Sequence, residues 1–373
     1  MITQYKEYPL NDANIHTQKE QIPPIGIINA YPLTQKGIDT VLDSRQAIRN
    51  ILDGKNTRSM LIVHGPCSAR DLKGFEEYVG NTLELHGRLG PDSPVISVVR
   101  AYGQKPRTIS RKGVDWEGLV ADPLGKGEAD YNLGYGMARK LMVSAVNRGM
   151  PIATEFLDSV TPQYLADTVS WNALGARSIE TQLLRHVASG LSMPVGYKNA
   201  TSGDIALAID AFVTSQNEHT FNSISYFGNP IFIETKGNPH GHIVLRGGKL
   251  NENNYTNFDS ENVSRAQAML KTRGLPPYVM IDCSHENANK NHKRQPPVFL
   301  DALKQRVDGN PGIIGIMVES YMLEGKQPLN NPLDGFENMN LVDGKSVTDP
   351  CISFPTMEEL IIEADRALRK KSP

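Results

Sequence analysis

Apolar residues are not spread evenly along this chain. Between Ser59 and Ser320 they gather into eight short runs rich in Val, Ile and Leu, separated by segments of helical periodicity. The runs are SMLIVHG (59–65), PVISVVRAY (94–102), PIATEFLD (151–158), ALGARS (173–178), VGYKN (195–199), HIVLRGG (242–248), YVMIDCSH (278–285) and IIGIMVES (313–320). Runs that stay apolar without alternating belong to strands covered on both faces, as in a parallel sheet flanked by helices. Eight such units predict an α/β fold closed into a (β/α)8 TIM barrel. An open doubly wound sheet would not gather all eight strand ends, and its glycine-rich dinucleotide loop is missing.

Two further β-like pieces, FNSISYF (221–227) and IFIETKG (231–237), flank the turn residues GNP and predict an inserted hairpin. Upstream, residues 1–58 read as an N-terminal arm and helix. The arm carries the proline-broken stretch IPPIGIINAYPL, and 37–58 sets Val41, Ala47, Ile48, Ile51 and Leu52 near helical spacing, ending at Gly54. The arm is too short for a core of its own, so it is expected to contact the barrel (59–373) or a neighbouring subunit.

Composition narrows the partners. The chain has 373 residues, 39% hydrophobic and 21% charged, with a net charge of −2. Such a balance makes no bulk electrostatic case for nucleic acid or an anionic membrane. No apolar run reaches the roughly 18–20 residues of a membrane span, and the polar start lacks the centre of a signal peptide. Cys67, Cys283 and Cys351 are odd in number and far apart, a pattern of a reducing compartment. A cytoplasmic protein is expected.

The chemistry collects at the run ends. At or just beyond each carboxyl end stand, in order, Cys67, Arg100, Glu155, Arg177, Lys198, Arg246, His285 and Glu319. A closed barrel brings these ends to one face. Cys67, His285 and Glu319, with Asp349 in the following loop, make a thiolate, imidazole and carboxylate set suited to one divalent ion, Mn, Fe, Co or Zn. Cys283 and Cys351 read as packing residues. Arg100, Lys105, Arg107, Arg177, Arg185, Lys198 and Arg246 form a cationic set, and a cation that ends an apolar run needs an anionic partner. A polyanionic substrate, or two of them, is implied. Within KPRT (105–108), Arg107 can fork a phosphate while Thr108 offers a hydroxyl and an amide.

HGPCSARD (64–71), KPRT (105–108), EFLDSVTPQYLAD (155–167), GARSIETQ (175–182), HVASGLSMPVGYKN (186–199), IVLRGGK (243–249), MIDCSHEN (280–287), MVES (317–320) and SVTDPCI (346–352) together carry a resemblance. In order, from about residue 11 to the carboxyl terminus, the chain resembles the first-type 3-deoxy-D-arabino-heptulosonate-7-phosphate (DAHP) synthases, entry enzymes of the shikimate pathway. The resemblance implies condensation of phosphoenolpyruvate with D-erythrose 4-phosphate, releasing phosphate. It implies a divalent metal on Cys67, His285, Glu319 and Asp349, and a phosphoenolpyruvate site of Arg100, Lys105, Arg177, Lys198 and Arg246. Arg107 and Thr108 would take the aldehyde's phosphate. Lys105 is expected to stabilise or protonate the new alkoxide, Glu155 to place the water, and His285 to serve beside them.

The family also implies a homodimer or homotetramer, and feedback by an aromatic amino acid through the arm and hairpin. Departures from its pattern gather at the barrel mouth: Gly103 and Gln104 before KPRT, the loop 109–115, NATSG (199–203), SIETQ (178–182), and Glu286 and Ala288. A synthase acting on a pentose phosphate is disfavoured by KPRT. A paralogue using another aldose phosphate in specialised metabolism, or a catalytically silent regulatory homologue, stays open at this point.

Overall fold

The computed structural model describes residues 11–107, 109–111, 115–250, 253–329 and 335–370. The predicted first long helix spans Gln35–Leu52, and Thr34 starts it, its Oγ1 accepting from the Gly37 amide at 3.2 Å. Ile48, Ile51 and Leu52 on its inner face share a buried cluster with Leu61, Trp171 and Ile314. The helix thus covers the amino-terminal end of the barrel, and each of those three side chains contributes about 1.5–3 kcal/mol by leaving water.

All eight predicted barrel strands form. They are β1 Met60–Gly65, β2 Val95–Arg100, β3 Ile152–Glu155, β4 Trp171–Leu174, β5 Val195–Lys198, β8 Gly241–Leu245, β11 Val279–Asp282 and β12 Ile313–Tyr321. Each pairs in parallel with its neighbour in that order, and β1 returns to pair with β12, closing the sheet. β4 starts two residues before the predicted run and ends four residues short of its end, so Gly175–Ser178 is loop. The inserted hairpin is β6 Thr220–Ile224 with β7 Pro230–Glu234, antiparallel. Unforeseen are a small ribbon of β9 Gly248–Leu250 and β10 Asn253–Tyr255, and a short strand β13 Ile352–Ser353 beside β12.

A helix follows each barrel strand, from Leu72–Leu89 after β1 to Phe354–Lys370 after β12. Asp71, Asp130 and Asp259 cap three of them by accepting from amides three residues on. Among the described residues no helix is long and apolar enough to cross a membrane.

Side chains alternate along each strand, which sorts the barrel interior by depth. Trp171 fills the amino-terminal end, where a Cβ on Gly196 would lie 2.2 Å from its ring, so that neighbour must be glycine. Val63, Val98, Ala153, Ala173, Val244, Met280 and Met317 belong to the same apolar filling. Two residues beyond Val98, Ala153, Val244, Met280 and Met317 come Arg100, Glu155, Arg246, Asp282 and Glu319, and two beyond Gly196 comes Lys198. Apolar filling below and charge above is what the alternation dictates.

Candidate active site

The charged ends open into a cavity of about 610 Å³. Its wall includes Cys67, Arg100, Lys105, Arg107, Glu155, Arg177, Lys198, Arg246, His285, Glu319 and Asp349. Residues that span almost the whole chain therefore meet at one mouth. Thr108 lies outside the described residues. Arg185 does not line this cavity: it donates to the backbone carbonyls of Ile179 at 2.7 Å and Leu207 at 3.4 Å, tying neighbouring helices together.

The thiol of Cys67 and a carboxylate oxygen each from Glu319 and Asp349 lie within 4.8 Å of one another, a possible metal site. Burial pushes the Cys67 thiol up to about 11, with Glu319 and Asp349 adding to it and Lys105 and Arg100 opposing. Burial also works to raise Asp349, but His285, Lys105, Lys290 and Lys326 outweigh it and hold this carboxyl below its usual range. His285 lines the same cavity but is not part of that three-residue cluster. Its backbone is left-handed, with φ +55°, a conformation non-glycine residues adopt mainly at turns and functional sites. Its Nδ1 faces Asp282 at 3.0 Å and Ser284 Oγ at 2.8 Å. Cys283 and Cys351 are fully buried, Cys283 in the layer between barrel and helices, consistent with packing.

The cations at the strand ends find partners within the chain. Arg100 pairs with Glu319 at 3.0 Å and stacks on Tyr102, its guanidinium 4.1 Å from the ring centre. Lys198 pairs with Asp282 at 2.9 Å, and Arg246 meets Glu286. The anion demand read from the sequence is therefore met partly from inside. An excess remains, because among the described residues the wall holds eight Arg and Lys against four Asp and Glu. Lys105 reaches across this thiol–carboxylate cluster, Nζ 3.2 Å from the Cys67 sulfur and in contact with the Cys67 carbonyl. Arg107 donates from Nε and Nη2 to the carbonyl of Trp116 at 2.9 and 2.6 Å, which aims its guanidinium along the cavity rim.

Glu155 is buried, its Oε1 has no hydrogen-bond partner among the described residues, and a Cβ on Gly175 would lie 2.0 Å from that oxygen. The glycine makes the room this carboxyl occupies. Burial raises the Glu155 pKa, while Lys198, Lys105, Arg100 and Arg177 pull the other way.

Sequence reading missed Asp282, Glu286, Lys249, Lys290 and His292. Asp282 had a usable signal, a carboxylate inside the apolar run YVMIDCSH, where an uncompensated charge is costly. Glu286, Lys290 and His292 sit on short turns, and Lys249 on the three-residue strand β9, segments too short for a periodicity to read.

A closed (β/α)8 barrel whose carboxyl-end cavity sets surplus cations beside a thiol–carboxylate cluster defines an enzyme for phosphorylated acids. Comparison with known proteins makes that particular. A model described as the DAHP synthetase I family matches residues 31–361. The Phe-sensitive phospho-2-dehydro-3-deoxyheptonate aldolase of Escherichia coli is 40% identical over 364 residues, covering 98% of this chain and 99% of that protein. The Trp-sensitive enzyme of Enterobacter agglomerans is 38% identical over 340 residues, 91% of this chain and 92% of that one. The solved phospho-2-dehydro-3-deoxyheptonate aldolase of Francisella tularensis is also similar, with TM-score 0.88 at 36% identity over 96% of this chain and 100% of that one.

The chain belongs to the DAHP synthetase I family. It is a transferase that joins phosphoenolpyruvate to D-erythrose 4-phosphate with water, giving DAHP and phosphate, the first step of the shikimate pathway. Neither the other-aldose paralogue nor the silent homologue is favoured by these relatives.

Proposed function

We propose that Cys67, His285, Glu319 and Asp349 hold one divalent ion, that Arg100, Lys105, Arg177, Lys198 and Arg246 bind phosphoenolpyruvate, and that Arg107 and Thr108 bind the aldehyde's phosphate. The observation that carries this reading is the convergence of thiol and carboxylates within 4.8 Å, beside the cationic wall of one cavity. The donor set fits a metal. Asp282 engages His285 Nδ1, which leaves Nε2 for the ion, and a metal-ligating imidazole ordinarily rests on such a carboxylate. Thiolate, imidazole and carboxylates suit Mn, Fe, Co or Zn alike. When bound, the ion supplies Lewis acidity toward the aldehyde carbonyl.

The chain's own residues do the rest. Lys198, Arg246 and Arg177 hold the carboxylate and phosphate of phosphoenolpyruvate so that its carbon 3 faces the aldehyde carbon. As that carbon–carbon bond forms, the carbonyl electron pair moves to oxygen, and Lys105 Nζ delivers a proton there. Water adds at carbon 2, and Glu155 takes its proton; a buried carboxyl of raised pKa is a better base than an exposed one. Carbon 2 then keeps its oxygen as a ketone, losing the hydroxyl proton as the bond to the phosphate oxygen breaks. Arg246 and Lys198 receive the departing phosphate.

The arm (1–58) and the β6–β7 hairpin serve subunit contact in a homodimer or homotetramer, and feedback by an aromatic amino acid. Exposed Tyr226, Phe227 and Phe232 on the hairpin support this, as does the Ile25 amide donating to the Tyr226 carbonyl at 2.9 Å. The relatives' names, Phe-, Tyr- and Trp-sensitive, point the same way. A cytoplasmic location accords with three free cysteines.

Titration with Co²⁺ tests the ligand set. A thiolate-to-cobalt absorption band that saturates at one equivalent and is absent in Cys67→Ala supports it. A band retained in that variant removes Cys67 from the site.

A further inference from the structure

Glu286 is a buried carboxylate for which the reaction above has no use. It follows His285 on the short turn His285–Ala288, lines the cavity, and is only 6% exposed. Its Oε2 lies against Nη2 of Arg246, which is itself 4% exposed. The contact is close but badly directed. Among the described residues, neither Oε2 of Glu286 nor Nη1 of Arg246 has a hydrogen-bond partner. The pairs Arg100–Glu319 and Lys198–Asp282 differ, each being hydrogen-bonded, at 3.0 and 2.9 Å.

The two backbones are fixed. The Arg246 amide donates to Asn199 Oδ1 at 2.9 Å, the Gly247 amide to Asn257 Oδ1 at 2.7 Å, and the Asn287 amide to the Arg246 carbonyl at 3.3 Å. Guanidinium and carboxylate are thus held facing each other, and adjustment is left to the side chains. A guanidinium fork presents two arms to a carboxylate or phosphate. Here one arm is blocked by an internal anion and the other is unsatisfied.

We propose that Glu286 is an affinity-determining residue, a built-in anion that competes with phosphoenolpyruvate, and with the phosphate leaving it, for Arg246. The proposal rests on the assignment of Arg246 to phosphoenolpyruvate. With the cavity empty, Glu286 offsets the cost of burying Arg246. An entering phosphate or carboxylate must displace it or share the guanidinium with it, and like charges set side by side oppose binding. Ground-state substrate and product phosphate are weakened together, while the aldehyde, held elsewhere, is not.

The test compares wild type, the near-isosteric Glu286→Gln and Glu286→Ala, all loaded with Mn²⁺. Calorimetry with phosphoenolpyruvate and with inorganic phosphate gives both dissociation constants, and steady-state kinetics gives the KM of each substrate. Both dissociation constants and the phosphoenolpyruvate KM are expected to fall about tenfold in Glu286→Gln, with the erythrose 4-phosphate KM within about twofold. Unchanged or weaker binding overturns the proposal, since a residue that merely positions Arg246 loses affinity when removed. If Glu286→Ala does not fold, the isosteric variant still decides. Should wild type bind no phosphoenolpyruvate at all, it is the Arg246 assignment that falls.

Discussion

Asp282 holds His285 by its Nδ1 at 3.0 Å, and the same carboxylate takes the Lys198 ammonium at 2.9 Å. One buried anion thus stands behind both a metal-ligand candidate and a phosphoenolpyruvate cation. Burial would raise its pKa, yet Lys198, His285 and Ser284 hold it well below the usual carboxylate range. Asp282→Asn is expected to weaken divalent metal binding about 10- to 100-fold. Leaving Lys198 without its anion costs about 3–5 kcal/mol of stability. Metal titration and urea unfolding measure the two effects. Unchanged metal affinity in a folded variant would separate Asp282 from the metal site.

Cys67→Ala should abolish metal-dependent turnover and leave the barrel standing. Cys67 is a small buried group, so its truncation costs about 1 kcal/mol, well within a domain's margin. Circular dichroism and a thermal midpoint close to wild type, together with lost activity across Mn, Fe, Co and Zn, are the expected result. Full activity would contradict the role given to the thiol.

Arg107→Ala should act on one substrate only. Its guanidinium is anchored on the Trp116 carbonyl at the rim, away from Lys198 and Arg246 deeper in the barrel. The KM for erythrose 4-phosphate should rise at least about tenfold while that for phosphoenolpyruvate stays within about twofold. A parallel rise in both would place Arg107 in the phosphoenolpyruvate site.

Stability should fall on the acid side for a reason unconnected with the active site. Burial pushes His64, helped by His86, and His242 down to about 3. Neither ring nitrogen of His242 has a partner among the described residues. In the unfolded chain a histidine titrates near about 6.5. Between those values the unfolded state binds protons that the native state refuses. The stabilisation is therefore complete above about pH 6.5 and is lost as pH falls, by at most about 1.4 kcal/mol per pH unit for each residue. Unfolding of chelated His242→Phe should show a shallower pH slope than chelated wild type across pH 4–6.5. Identical slopes would contradict this.

The barrel was legible because its strands are buried on both faces, so each announces itself as an apolar run ending in chemistry. β4 was misplaced because Asn172 interrupts its pattern, while the small residues of Ala173–Ser178 extend the run into the loop that carries Arg177. Ion pairs were not legible at all. Lys198 and Asp282 are 84 positions apart, and nothing local marks them as partners. The demand for anions at Arg100, Lys198 and Arg246 was correctly read, but the supply was credited wholly to substrate. His285 was picked out by its place at a run end and by its chemistry; its left-handed backbone has no signature in the letters SH. Arg185 was gathered in with the cations because a helix position that caps carbonyls looks the same in sequence as one that meets a ligand.

The most direct measurement incubates metal-loaded protein with phosphoenolpyruvate and a panel of aldose phosphates, following phosphate release and product mass. Stoichiometric phosphate release and a seven-carbon keto-acid phosphate with erythrose 4-phosphate, suppressed by a chelator and restored by a divalent ion, is the predicted result. Turnover with another aldose phosphate alone, or none with any while metal and phosphoenolpyruvate both bind, would contradict the account.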